Sequence, residues 1–169
     1  MPLDRHLVVQ LQEMVATEEG WRDYLMAWSD QVSDARLQDA IAHEIGAIQA
    51  RVANLRVCLD ALDAEPIQGL TSPFVAARKR EDELTMREMP MARGQDRDIH
   101  LTLAAIAFGH LEVGRYQGMI ALARALGKDE VAELLKTNLR REHDDLRRLQ
   151  RLLPSLSGGG SSGEARRAA

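Results

Sequence analysis

Apolar residues recur along most of the chain at alternating steps of three and four, the spacing of one buried face of an α-helix. The first such seam contains Leu7, Leu11, Met14, Glu18, Trp21, Leu25 and Trp28. It predicts a helix of about 25 residues with Asp4 as a candidate N-cap. The serine and aspartate residues between positions 29 and 34 favour a tight turn after it.

A second seam predicts a helix over roughly residues 34–63, which ends before Pro66. Its members are Leu37, Ile41, Ile45, Ile48, Val52, Leu55, Leu59 and Leu62. Ser72 followed by Pro73 is typical of an N-cap and first helical residue, so a short, highly charged helix is expected up to Glu88. The segment 89–94, which contains Pro90, is expected to break it.

Two more long helices follow in the last third of the chain. Asp96 or Asp98 is a candidate cap for the third long helix, and Gly127 is a suitable residue just past its end. The last helix is expected to begin near Asp129 and to stop at Pro154. Its seam contains Leu135, Leu139, Glu142, Leu146, Leu149 and Leu153.

Amphipathic helices joined by short turns must hide their apolar faces against one another. The sequence therefore predicts an all-α fold, an antiparallel four-helix bundle over residues 1–154. A short extra helix lies between long helices two and three. The Gly- and Ser-rich residues 155–169 are expected to form a flexible tail.

Composition narrows the function classes. Only 4% of the 169 residues are aromatic, which argues against an all-β fold, and the net charge of −4 gives no basic excess for nucleic-acid binding. The one cysteine, Cys58, cannot form an intrachain disulfide and is interpreted as a buried apolar residue. With no apolar run long enough for a membrane span and no signal-peptide pattern, a cytoplasmic protein is expected, with a homodimer as the favoured oligomer.

Two carboxylates, Glu18 and Glu142, occupy seam positions that should be apolar. An unpartnered buried carboxylate costs several kcal/mol, so each needs a metal, a hydrogen-bond donor or a cation. The candidate cations are Arg51, Arg115, Arg140 and Arg141. Further polar residues lie beside the seams at the same level of the bundle, namely His43, Glu44, His110, Glu112, His143 and Asp145. Isolated histidines such as His43, His100 and His143 are more typical of solvated edges than of ligands.

Several segments together resemble the YciE/YciF-type ferritin-like proteins, a bacterial stress-associated group of four-helix bundles. The resemblance extends over about residues 7–153 and is clearest in LQEMVATEEGW, HEIGAIQ, GHLEVGRYQGMIALARALG and ELLKTNLRREHDDL. In ferritin-like di-iron proteins, carboxylates and imidazoles project inward from four helices. The resemblance therefore implies a site for iron or manganese.

Carried over by position, the resemblance implies Glu18 as the ligand of the first helix. The acidic ligand of the second helix falls at Gly46, with Gln49 three residues later. In the third long helix the first expected glutamate is Gly109, while His110, Glu112 and Tyr116 match. The last helix retains Glu142 and, three residues later, Asp145. The implied metal ligands are Glu18, His110, Glu112, Glu142 and Asp145.

Gly46 and Gly109 thus replace two expected carboxylates, which argues against a full ferroxidase centre and leaves oxidase activity open. Three functions stay in view. The first is a stress-type bundle with a reduced iron or manganese site. The second is a bundle without metal that acts as a structural or interaction module, with Glu18 and Glu142 neutralised by Arg141 or His110. The third is a small-molecule pocket opened by the two glycines.

Overall fold

A computed structural model of the chain describes residues 3–88 and 94–157. It contains five helices, α1 (Leu3–Ser29), α2 (Ala35–Asp60), α3 (Pro73–Glu88), α4 (Gly94–Ala125) and α5 (Asp129–Ser157). Within those ranges there is no β-strand. The predicted arrangement of four long helices and one short helix between the second and third is confirmed. Residues 89–93 of the break predicted at 89–94, and residues 158–169 of the tail predicted at 155–169, lie outside the described residues. Within the described part, residue 94 already belongs to α4 and residues 155–157 still belong to α5.

The starts of α2 and α3 follow the predicted capping pattern. The Asp34 carboxylate accepts hydrogen bonds from the backbone N–H groups of Arg36 (2.8 Å) and Leu37 (3.3 Å). Ser72 precedes Pro73, and its hydroxyl accepts a bond from a backbone N–H one turn further on, at 3.5 Å. These side chains satisfy N–H groups that the first turn of a helix leaves without partners.

The end of α4 is also as predicted. Gly127 has a φ of 68°, a left-handed conformation that glycine adopts without strain. The N–H of Lys128 donates to the carbonyl of Ala123 at 2.9 Å, and that of Gly127 donates to the carbonyl of Arg124 at 3.0 Å. This is the Schellman arrangement, and it allows α5 to begin immediately.

Three predicted helix ends are wrong. Asp4 lies inside α1 rather than capping it, and α4 begins at Gly94, before both Asp96 and Asp98. Pro154 lies within the last turn of α5, which continues to Ser157. The helix persists there because Leu156 is buried and its carbonyl accepts a hydrogen bond from a glutamine of α4, so tertiary contact outweighs the lost backbone bond.

Asp98 instead joins two helix starts. Its buried carboxylate accepts bonds from the Ser33 N–H (3.0 Å), the Ser33 hydroxyl (2.6 Å) and the Asp34 N–H (2.9 Å). Since α2 and α4 begin at the same end, they run in the same direction, and α3 lies on the connection between them. Helices adjacent in space are antiparallel, as predicted for the bundle.

The core is the predicted aliphatic interior with one aromatic stack. Trp21 packs between Tyr24, with ring centroids 4.6 Å apart, and Phe108, at 4.1 Å. Trp28 is only partly buried, whereas Cys58 is fully buried as predicted. None of the described helices is long and apolar enough to cross a membrane.

Candidate functional site

The middle of the bundle encloses a single arginine. Arg51 of α2 is completely buried, and its guanidinium meets carboxylates from three helices. Its Nε donates to both oxygens of Glu18, at 2.8 and 3.0 Å, and its Nη2 donates to Glu44 at 2.8 Å. Its Nη1 lies 3.2 Å from an oxygen of Glu142 and 3.2 Å from one of Asp145. We call Arg51, Glu18, Glu44, Glu112, Glu142 and Asp145 the Arg51 cluster.

Polar groups around the cluster hold its members in place. The Tyr116 hydroxyl donates to Glu18 at 2.6 Å. The side-chain amide of Asn138 donates to the backbone carbonyl of Arg51 at 3.0 Å, and Asn54 donates in turn to Asn138 at 2.7 Å. Because Tyr116 and Asn138 are fully buried, this network fixes the position of Arg51 without water from bulk solvent.

Burial and mutual repulsion control the protonation of the acidic members. Burial raises the pKa of Glu44 and raises that of Glu142 well above its usual value, and the positive charge of Arg51 offsets only part of this effect. Burial alone would lower the pKa of Arg51, but the surrounding carboxylates of Glu18, Glu44 and Glu142 raise it well above its usual value. Arg51 therefore keeps its positive charge, while burial favours the protonated forms of Glu44 and Glu142.

Glu112 of α4 differs from the other carboxylates. It is completely buried, and neither of its oxygens has a hydrogen-bond partner among the described residues. Burial first, and then the nearby charges of Glu18 and Glu142, raise its pKa well above the usual value. Burial without a hydrogen-bond partner therefore favours the neutral carboxylic acid form of Glu112.

Four of the five predicted ligands, Glu18, Glu112, Glu142 and Asp145, come together as buried side chains at one level of the bundle. His110 does not join them. It is exposed on α4, and its Nε2 lies 3.3 Å from the side-chain amide of Gln150. The proposed neutralisation of the glutamates by His110 or Arg141 is replaced by Arg51.

The carry-over of the second-helix ligand to Gly46 is wrong. Gly46 is exposed, and a β-carbon there would have no neighbour within 4 Å. Glu44 supplies the buried carboxylate of α2 instead. Gly109 does face inward as predicted, since a β-carbon there would lie 2.9 Å from Oε1 of Glu142.

Glu44 and Arg51 leave a signal in the sequence. A strict alternation of steps of four and three along α2 passes through them, whereas the seam drawn through Ile45 and Val52 departs from it. The buried residues on the strict seam are Leu37, Ile41, Glu44, Ile48, Arg51, Leu55 and Cys58. Two oppositely charged residues seven apart on one seam indicate a buried ion pair.

The histidines outside the cluster have separate partners. His43, about half exposed, lies 3.3 Å from the outer oxygen of Asp145 at the surface. His100 lies 2.8 Å from Asp82 of α3, whose other oxygen accepts a bond from Tyr24. His43 is an exposed edge residue as predicted, whereas His100 is mostly buried against Asp82 and does not lie at a solvated edge.

The cluster does not fit a two-metal centre. The lone pairs that would bind cations point at the guanidinium of Arg51, which repels a second positive charge in the same space. The orphaned oxygens of Glu112 alone supply too few ligands. Among the described residues, no group of three or more His, Cys, Asp or Glu side chains has an arrangement that could hold a metal ion.

Comparison with known proteins places this site in context. A family model described as a domain of unknown function, DUF892, matches residues 2–159. No curated protein sequence matches the chain significantly.

Solved structures share the fold. The Escherichia coli stress protein YciF is 17% identical, with a TM-score of 0.85 over 94% of this chain and 99% of that one. YcfI from Rhodopseudomonas palustris is 23% identical, with a TM-score of 0.81 over 89% and 94%. A protein from Xanthomonas campestris is 19% identical, with a TM-score of 0.72 over 92% and 94%. The expected ferritin-like, YciF-type helical bundle is therefore confirmed.

Proposed function

This chain belongs to the DUF892 family, and we propose that it works as a metal-independent member, a structural or protein-interaction module. In this proposal the guanidinium of Arg51 takes the central place that metal ions occupy in ferritin-like di-iron proteins. It neutralises the inward carboxylates and joins three helices without redox chemistry.

The observation that carries the proposal is the position of Arg51. The guanidinium is fully buried and lies within 2.8–3.2 Å of Glu18, Glu44, Glu142 and Asp145. A metal ion in this position would have to displace the guanidinium from its four carboxylate partners. It would also have to act against the hydrogen bond that Asn138 donates to the Arg51 backbone carbonyl. That displacement leaves a buried arginine without partners, which costs several kcal/mol.

The setting of this function is also proposed rather than derived from the site. The similar fold of a stress protein supports a role in the stress response, and a cytoplasmic location is part of the same proposal. A homodimer is the proposed assembly, without nucleic acid or membrane as a partner. Sedimentation equilibrium on the full chain tests the dimer directly.

Metal analysis tests the central proposal. The protein is purified after growth with added iron and manganese, and its bound metal is measured by inductively coupled plasma mass spectrometry. We expect less than about 0.1 equivalent, because a site with structural affinity keeps its metal through purification.

The opposite result would favour the reduced metal site. About one equivalent of iron or manganese, lost in both Glu18→Ala and Glu142→Ala, would overturn the proposal and assign the metal to the buried carboxylates Glu18, Glu112, Glu142 and Asp145. Glu83→Gln, a substitution of an exposed glutamate on α3, serves as the control that should not change metal content.

A further inference from the structure

A basic groove lies on the opposite side of the α2–α5 contact from the core. It has a volume of about 810 Å³ and runs between the first half of α2 and the second half of α5. Its wall on α2 carries Arg36, and its wall on α5 carries Arg147, Arg148 and Arg151. We call these four residues the arginine groove.

The groove concentrates positive charge in a chain whose net charge is −4. Its four guanidinium groups face only two lining carboxylates, those of Asp39 and Asp144. Such a local excess attracts anions even when the whole protein is acidic.

Two of the four arginines form no ion pair among the described residues. Arg36 pairs with Asp34 at 2.6 Å, and Arg147 pairs with Asp144. Arg148 and Arg151 are exposed and have no ion-pair partner among the described residues. They are three residues apart on one helix, where like charges repel each other. An anion between them would remove that repulsion.

The rest of the lining suits a small polar ligand better than a protein. Only Ala40 and Leu152 contribute apolar side chains, so a protein segment would bury little apolar surface there. His43 and Ser155 add further polar side chains to the lining. The volume lies within the range of small-molecule sites.

We propose that the arginine groove binds a small oligophosphate, a molecule with at least two linked phosphate groups. Guanidinium groups bind phosphate oxygens through paired, charge-assisted hydrogen bonds, and this groove offers them from both walls. A ligand with two or more phosphates can contact Arg36 and the α5 arginines at once, whereas a single phosphate cannot span the walls as well. This inference is independent of the Arg51 cluster.

Calorimetric titration of the full chain with tripolyphosphate at constant ionic strength tests the proposal. We expect saturable binding that is stronger than that of inorganic phosphate or sulfate. The double variant Arg148→Gln/Arg151→Gln should weaken it by about tenfold, since each loses charge-assisted bonds. The double variant Arg124→Gln/Arg140→Gln makes the same charge change at exposed positions outside the groove and should alter the affinity by less than about twofold.

Three results would overturn the proposal. The first is the absence of tripolyphosphate binding to the parent chain. The second is an equal loss in both double variants, which would identify a general charge effect. The third is binding of a ten-nucleotide single-stranded RNA that is tighter than that of tripolyphosphate, which would make the groove part of a nucleic-acid surface. Circular dichroism of both variants establishes that each remains folded.

Discussion

Gly109 faces Glu142 so closely that a β-carbon at position 109 would lie 2.9 Å from the Oε1 atom of the glutamate. The Cδ1 atom of Leu146 would be 3.3 Å away. The glycine therefore makes room for a carboxylate that is held on its other side by Arg51.

This contact reverses the usual effect of an alanine in a helix. Gly109→Ala should destabilise the protein by about 1–2 kcal/mol, because the crowded glutamate must shift within the cluster. Gly114→Ala and Gly118→Ala are matched controls on the same helix, with no atom within 4 Å of the added carbon. They should stabilise it by about 0.5–1 kcal/mol. Urea unfolding of the three variants gives the comparison, and a stabilised Gly109→Ala would contradict the packing described.

Removal of the Arg51 guanidinium should strongly destabilise the protein. Arg51→Met should lower the free energy of unfolding at pH 7 by about 3–5 kcal/mol, since the carboxylates lose their buried partner. The deficit should shrink toward pH 5. Without the Arg51 guanidinium, the pKa values of the buried carboxyl groups in the folded protein rise. A carboxyl group with a raised folded pKa costs stability only at pH values above its ordinary pKa, where the unfolded chain is already ionised. Arg56→Met, at an exposed arginine of the same helix, should change stability by less than about 0.5 kcal/mol.

A divalent cation should partly replace the missing guanidinium. We expect millimolar Mn²⁺ to raise the melting temperature of Arg51→Ala by several degrees, because it binds the freed carboxylates of the folded state only. The parent chain should not respond. Addition of Glu142→Gln to Arg51→Ala should reduce the increase. Equal stabilisation of the parent and Arg51→Ala would show that the metal acts elsewhere.

Glu112 should make the free energy of unfolding fall as the pH rises from 5 to 9. Its folded pKa is raised, so its contribution is fully present below the ordinary value of 4.5 and is lost as the pH rises through the folded value. Glu112→Gln keeps the shape and cannot ionise. Its unfolding free energy should fall less between pH 5 and pH 9 than that of the parent, whereas Glu83→Gln should follow the parent. Urea titrations at both pH values measure the difference.

The Asp98 carboxylate should contribute strongly to stability, because it links the start of α4 to the start of α2. Asp98→Ala leaves the N–H groups of Ser33 and Asp34 without their acceptor and should cost about 2–3 kcal/mol. Asp96→Ala, at an exposed residue two positions earlier, should cost less than about 0.5 kcal/mol. Similar losses in both variants would mean that the carboxylate serves only the first turn of α4.

The sequence was most informative where a single pattern determined the result. Alternating apolar steps predicted every long helix, and Gly127 marked the end of α4 correctly. Predicted helix ends were wrong where a contact between distant residues determined them. Beyond Pro154, the helix continues because the Leu156 carbonyl accepts a hydrogen bond from α4. Position along the chain alone cannot show such a contact.

The candidate site was predicted in part for a related reason. Glu18 and Glu142 were recognisable because each interrupted an apolar seam. Glu44 was placed beside the seam of α2 rather than on it, because the neighbouring Ile45 offered a second apolar path along the helix. The choice of Arg51 among four candidate arginines depended on helix packing, which a single sequence does not specify.

The Arg51 cluster restricts how the two helical hairpins of the bundle can assemble. The α1–α2 hairpin contains Arg51 beside Glu18 and Glu44, whereas the α4–α5 hairpin contributes Glu112, Glu142 and Asp145 and no buried cation. Two copies of the second hairpin would bury carboxyl groups against each other without a buried cation, so the second hairpin finds such a cation only in the first. We expect exchange of matching hairpins between two molecules to be disfavoured.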